Sequence, residues 1–97
     1  MDDRRHSRMK MQRYLIETPH TAQDCSRLVE QVYAMGYLYN FDWGCKVGVH
    51  TGWAIIEAED EAQAYLAVPP LVRRKARVIE LTKFTGDHLS THESTVK

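Results

Sequence analysis

Apolar and polar positions repeat with two different periods along this chain. Residues 13–18, Arg-Tyr-Leu-Ile-Glu-Thr, are rich in strand formers, and Pro19 stops them. From Ala22 onward Cys25, Leu28, Val29, Val32 and Met35 fall at helical spacing. Thr21 offers a hydroxyl N-cap with Asp24 three residues on, and Gly36 stands where a C-terminal cap belongs. Period two returns from Tyr37 to Cys45 and again from His50 to Ala58, with the glycine-containing turn Lys46-Val-Gly-Val49 between them. Asp60 is a second N-cap, and Ala62, Ala64, Tyr65 and Leu66 open a second helix. Pro69-Pro70 ends it, because proline lacks the amide donor and restricts the residue before it. Leu71 to Lys75 has room for one more helical turn, and Arg77 to Phe84 reads as a fourth strand.

The order is β-α-β-β-α-β. Right-handed crossovers then place the first and third strands centrally in a four-stranded antiparallel sheet, with both helices on one face. The predicted fold class is α+β, a ferredoxin-like plait. Alternation puts Tyr37, Tyr39, Phe41, Trp43 and Cys45 on one side of the second strand. The third strand carries Val49, Thr51, Trp53 and Ile55 on one side and His50, Gly52, Ala54, Ile56 and Ala58 on the other. Its small residues suit close helix packing. The aromatic side of the second strand is therefore expected on the face that the helices leave open. Such a row is too much apolar surface for a small monomer to leave in water. A homodimer closing over it is expected. Tyr37, Tyr39, Phe41, Trp43 and Trp53 are the candidate ligand-binding residues of an apolar cavity or dimer face, which a small apolar or aromatic ligand would fit.

Length and charge narrow the picture. The chain has 97 residues, enough for one domain that stands alone only marginally. Residues 12–86 carry the periodic pattern. Residues 1–11 are too polar to repay ordering and read as an arm, and residues 87–97 read as a polar tail. Thirteen basic residues balance thirteen acidic ones, which argues against a nucleic-acid partner recruited by a general basic field. Two cysteines twenty positions apart make no disulfide framework. No apolar run approaches the ~20 residues of a membrane span, and the N-terminus lacks a signal-peptide core. The expected setting is cytoplasmic, with no membrane partner.

Candidate chemistry clusters around the second and third strands. With a hairpin loop of two or four residues, Cys45 and His50 become cross-strand partners with Cβ atoms roughly 4.5–5.5 Å apart, close enough to share a metal ion. A three-residue loop with Gly48 left-handed sends them to opposite faces. Asp42, His20 or a residue of a second copy would have to complete the site, and Cys25 reads as a small core residue on the helix stripe. A cofactor-free enzyme instead needs a polar group projecting into an apolar cavity. His20 and His50 are its candidate bases, with Glu17 and Glu80 as further catalytic candidates. Each has a simpler reading: His20 shapes a loop, and the glutamates are either solvated or paired with Arg13 or Arg77. No cofactor-binding motif is present, so none is expected.

The segments Arg13-Tyr-Leu-Ile-Glu-Thr, Asp42-Trp-Gly-Cys, His50-Thr-Gly-Trp-Ala-Ile-Ile-Glu-Ala-Glu, Val68-Pro-Pro and Lys75-Ala-Arg-Val-Ile-Glu-Leu-Thr-Lys-Phe-Thr resemble a group of small bacterial proteins. These in turn are similar to the dimeric α+β barrel superfamily. The resemblance runs from about Gln12 to Gly86. It implies a dimeric barrel built from two plaits. That superfamily includes cofactor-free monooxygenases, muconolactone isomerase, stress-response barrels and ligand domains of transcription regulators. The chain also resembles a ferredoxin-like family with a nickel-binding member. No catalytic residue of these relatives is carried over. Three function classes follow: binding of a small apolar ligand, a cofactor-free isomerase or oxygenase using a histidine, and transition-metal binding.

Overall fold

The computed structural model describes residues 10–86. Nearly all of the expected arm at 1–11, and the whole of the tail at 87–97, lies outside the described residues. The chain forms β1 (Gln12–Pro19), α1 (Cys25–Ala34), β2 (Phe41–Trp43), β3 (Thr51–Ala58), α2 (Glu61–Ala64) and β4 (Arg77–Leu81), joined by short 3-10 turns. The protein is α+β. Its open, four-stranded sheet has the order β2-β3-β1-β4, every neighbouring pair antiparallel, with the first and third strands central as the pattern predicts. This is compatible with a ferredoxin-like plait.

Local chemistry sets the element ends. Thr21 Oγ1 accepts the Asp24 N–H at 3.2 Å and opens the turn that leads into α1. At the other end of α1, Gly36 N–H reaches Tyr33 O and Tyr37 N–H reaches Val32 O, both at 3.0 Å, which is a Schellman motif. Asp60 Oδ1 accepts the Gln63 N–H at 2.9 Å and caps α2. That helix is short. It tightens to a 3-10 turn over Tyr65–Ala67, and Val68 and Pro69 are extended before a new turn begins at Pro70. The proline pair thus breaks the helix as expected, and it turns Val72 into the core.

One face of the sheet meets the helices. Ile16 of β1, Phe41 of β2 and Ala54 of β3 pack with Leu28 and Val32 of α1 and with Ala67, Val68 and Val72 of the break. Tyr14, Ala58 and Ala64 extend this core toward α2. The small residues of β3 do face the helices, as predicted. The aromatic row does not lie on the open face. Phe41 is buried against α1, and Trp43 is packed against the same core. Tyr37 and Tyr39 are not in the strand at all. After Gly36 the chain makes a 3-10 turn over Leu38–Asn40, so β2 has only three residues. Tyr37 packs against the core and Tyr39 stands 92% exposed. The register pairs Phe41 with Ala54 and Trp43 with Gly52, and a large ring opposite a small residue fills the space beneath α1. The uncovered face instead carries Leu15, Glu17, Trp53, Ile55, Arg77, Ile79 and Leu81, by alternation from the buried positions. Among the described residues no helix is long and apolar enough to cross a membrane.

Candidate functional site

The sheet register brings distant residues to one end of the fold. Thr18 of β1 and Trp43 of β2 both pair with Gly52 of β3. Two residues beyond each of these three positions stand His20, Cys45 and His50. They prolong the same row past the sheet's end, on the side facing α1. The His20 N–H still reaches the His50 carbonyl at 3.0 Å. Cys25, the first residue of α1, comes down onto this row because the capped turn at Thr21 starts the helix directly after His20.

The hairpin loop decides which of these groups touch. Pairing closes at Gly44, whose N–H reaches Thr51 O at 3.0 Å. A 3-10 turn over Cys45–Val47 follows, and it ends on Gly48 at φ +87°, a left-handed position that glycine occupies without penalty. The loop is longer than any of the two- to four-residue forms the sequence suggested. Cys45 and His50 are accordingly not strand partners. Cys45 Sγ turns to His20 Nε2, 3.3 Å away, and the ligand atoms of His20, Cys25 and Cys45 all lie within 4.8 Å of one another. The reading of Cys25 as only a core residue is thus corrected: it is half-buried and belongs to this cluster.

His20 has a defined tautomer. Its Nδ1 lies 2.8 Å from the Thr18 carbonyl, which can only accept, so Nδ1 carries the proton. Nε2 keeps its lone pair toward Cys45. Burial and the adjacent Cys25 push the Cys45 thiol up to about 11, so its proton stays on sulfur at neutral pH. This differs from an activated cysteine nucleophile, whose thiolate is favoured. The His20 ring stands edge-on to Trp43, with centroids 6.1 Å apart, and edge-on to His50 at 6.2 Å. His50 Nδ1 is buried and has no hydrogen-bond partner.

Beside the cluster lies a pocket of about 520 Å³. Cys25 and Val29 of α1, Leu38 of the turn, Phe41 and Trp43 of β2, and Cys45 form its wall, with the exposed Asp42 and Lys46 at its rim. The Phe41 and Trp43 rings stack with centroids 5.4 Å apart. Of the five candidate ligand-binding residues, only Phe41 and Trp43 line it. Tyr39 and Trp53 border a separate cleft on the opposite face, with Leu15 and Ile55. The protein-family models, the curated proteins and the solved structures contain no match to this chain.

The remaining candidates fall elsewhere. Glu17 lies on the uncovered face, with its Oε1 3.6 Å from Arg77 Nε across β1 and β4. Glu80 is exposed on β4, opposite Tyr14. Neither reaches the pocket. Sequence reasoning allowed His20 as a further ligand beside Cys45 but missed that Cys25 joins them. The signal lay in the shared offset of His20 and Cys45 from residues that pair with Gly52, which becomes visible only once the register is known.

Proposed function

We propose that this protein binds a small, largely apolar or aromatic molecule in the pocket beside α1. The observation that supports this reading is the pocket's wall. It is apolar, built around Val29, Leu38 and the stacked Phe41–Trp43 pair, and no described histidine lines it. Its volume falls within the range of roughly 300–1,000 Å³ usual for small-molecule sites. A cofactor-free isomerase or oxygenase would need a base projecting into such a space. His20 instead has both ring nitrogens engaged, by Thr18 and by Cys45. Binding is therefore better supported than catalysis.

The test is titration with aromatic probes, read by Trp43 fluorescence in a Trp53→Phe background. Saturable binding is expected, and Val29→Trp, followed by calorimetry because it adds a second tryptophan, should abolish it by filling the pocket while leaving the helical circular dichroism unchanged. Binding that survives in a folded Val29→Trp protein would rule this pocket out.

The proposal extends to assembly. We take the fold to be a ferredoxin-like plait and two copies to close as a dimeric α+β barrel over the uncovered sheet face. The support is the apolar content of that face, where Leu15, Trp53, Ile55, Ile79 and Leu81 cluster and Ile55 is 52% exposed. Light scattering should give a dimer mass that Ile55→Asp reduces to a monomer. A wild-type monomer at high micromolar concentration contradicts the assembly without touching the pocket.

A further inference from the structure

The cluster at the end of the sheet carries chemistry that an apolar pocket does not need. We propose that His20, Cys25 and Cys45 bind one zinc-class transition-metal ion, with His50 as the fourth ligand.

The spacing is the first argument. With Zn–S near 2.3 Å and Zn–N near 2.0 Å, two donors on one tetrahedral ion stand roughly 3.3–3.8 Å apart. His20 Nε2 and Cys45 Sγ are at 3.3 Å, and Cys25 Sγ lies within 4.8 Å of both. Side-chain rotations of about an ångström gather them onto one centre.

The orientation of His20 is the second. Its Nδ1–H donates to the Thr18 carbonyl, and its Nε2 lone pair faces the thiols. A metal-bound imidazole is usually held in this way, by a carbonyl on the nitrogen that does not ligate. Thr18 is itself immobilised. Its buried hydroxyl donates to Gly52 O at 3.0 Å and accepts from Gly52 N–H at 3.1 Å.

His50 supplies the third. Its Nδ1 is buried without a partner, in a ring 6.2 Å from the His20 ring. Buried nitrogens are nearly always paired. His50 stands outside the 4.8 Å grouping of the other three donors, and a swing of its ring toward them gives this nitrogen a partner and completes a Cys2His2 set, which suits a borderline-soft, tetrahedral ion. The charges also balance. Each thiol loses its proton to solvent as its sulfur bonds the ion, so a divalent cation and two thiolates make a neutral centre and two protons are released. That neutrality suits a half-buried site.

The experiment is cobalt(II) titration of the chelator-stripped, reduced full chain. Saturation at one ion per chain is expected, with thiolate-to-cobalt charge-transfer absorption and the intense visible bands of a tetrahedral site. Cys25→Ser, Cys45→Ser and His20→Gln should each weaken binding at least tenfold, and the cysteine variants should lose charge-transfer intensity. His50→Gln should weaken it while leaving that absorption in place. Glu80→Gln, on β4 away from both the pocket and the cluster, should bind as wild type. X-ray absorption of the zinc-loaded wild-type protein needs no variant to fold and should show sulfur as well as nitrogen scatterers. A spectrum with only oxygen and nitrogen neighbours, or wild-type cobalt affinity in a folded Cys25→Ser/Cys45→Ser protein, overturns the site. Unchanged affinity in His50→Gln overturns the four-ligand set.

Discussion

Trp43 lies so close against Gly52 that a Cβ at residue 52 would stand 2.6 Å from Trp43 Cζ3. The same Cβ would come within 3.0 Å of Thr18 Oγ1, so the central position of the row admits hydrogen and nothing larger. This contact lets the Trp43 ring lie between the sheet and the pocket. Gly52→Ala should therefore destabilise the protein by about 1–3 kcal/mol, since it forces the Trp43 ring off the sheet toward the pocket and crowds the buried Thr18 hydroxyl. Urea denaturation measures it, and an unchanged midpoint would show that the ring moves freely.

Leu28 and Leu66 make a matched pair for the packing argument. Leu28 is fully buried under the sheet, whereas Leu66 is 67% exposed although it follows directly from the helix that the sequence pattern begins at Asp60. Leu28→Ala should cost about 2–5 kcal/mol and Leu66→Ala well under about 1 kcal/mol. Equal losses at the two sites would place α2 and its 3-10 continuation differently from the description above.

Alkaline stability should depend on Tyr14. Burial, reinforced by the carboxylates of Glu80, Asp60 and Glu61, holds its phenol above the ordinary value of 10.0. The unfolded chain's phenol ionises first as pH rises past that value. Between the two pKa values the native state binds the extra proton, so stability falls with pH until the folded value is passed. Below pH 10 the contribution is fully present. Tyr14→Phe should flatten the decline above that pH, and a slope identical to wild type in melts across that range would remove Tyr14 from the account.

Cys45 should resist alkylation in the metal-free, reduced protein. With its thiol pushed up to about 11, the thiolate is on the order of a thousandth of the population at pH 8. Mass spectrometry of iodoacetamide-treated protein should show slow modification at that pH, quickening tenfold per unit toward pH 11. A fast, pH-independent reaction at Cys45 would mean that His20 takes its proton instead.

His50→Leu separates the metal-free protein from the metal-bound one. Without metal, the substitution removes a buried nitrogen that has no partner, so the melting temperature should hold or rise. With zinc present, the gain in melting temperature should be smaller than in wild type, because ligand-linked stabilisation follows affinity. A fall in the metal-free melting temperature would mean that His50 is already satisfied.

The sequence by itself determined the local elements and their ends. The helical stripe Cys25, Leu28, Val29, Val32, the caps at Thr21, Gly36 and Asp60, and the break at Pro69-Pro70 depend on neighbours within a few residues, and all are present. The element order was enough to place β1 and β3 at the centre of the sheet. It did not give the length of β2, because the turn after Gly36 takes up three residues that also alternate. Two-residue alternation places side chains on opposite faces but does not say which face a helix will cover. Packing decided that, by setting Phe41 opposite Ala54 and Trp43 opposite Gly52. The candidate site belongs wholly to tertiary structure. His20 and Cys45 meet because Thr18 and Trp43 share Gly52 as partner across a separation of 34 residues in one case, and because the seven-residue connection turns left-handed at Gly48. Register and loop conformation are properties of the assembled sheet, fixed by contacts between segments that no local window of the chain contains.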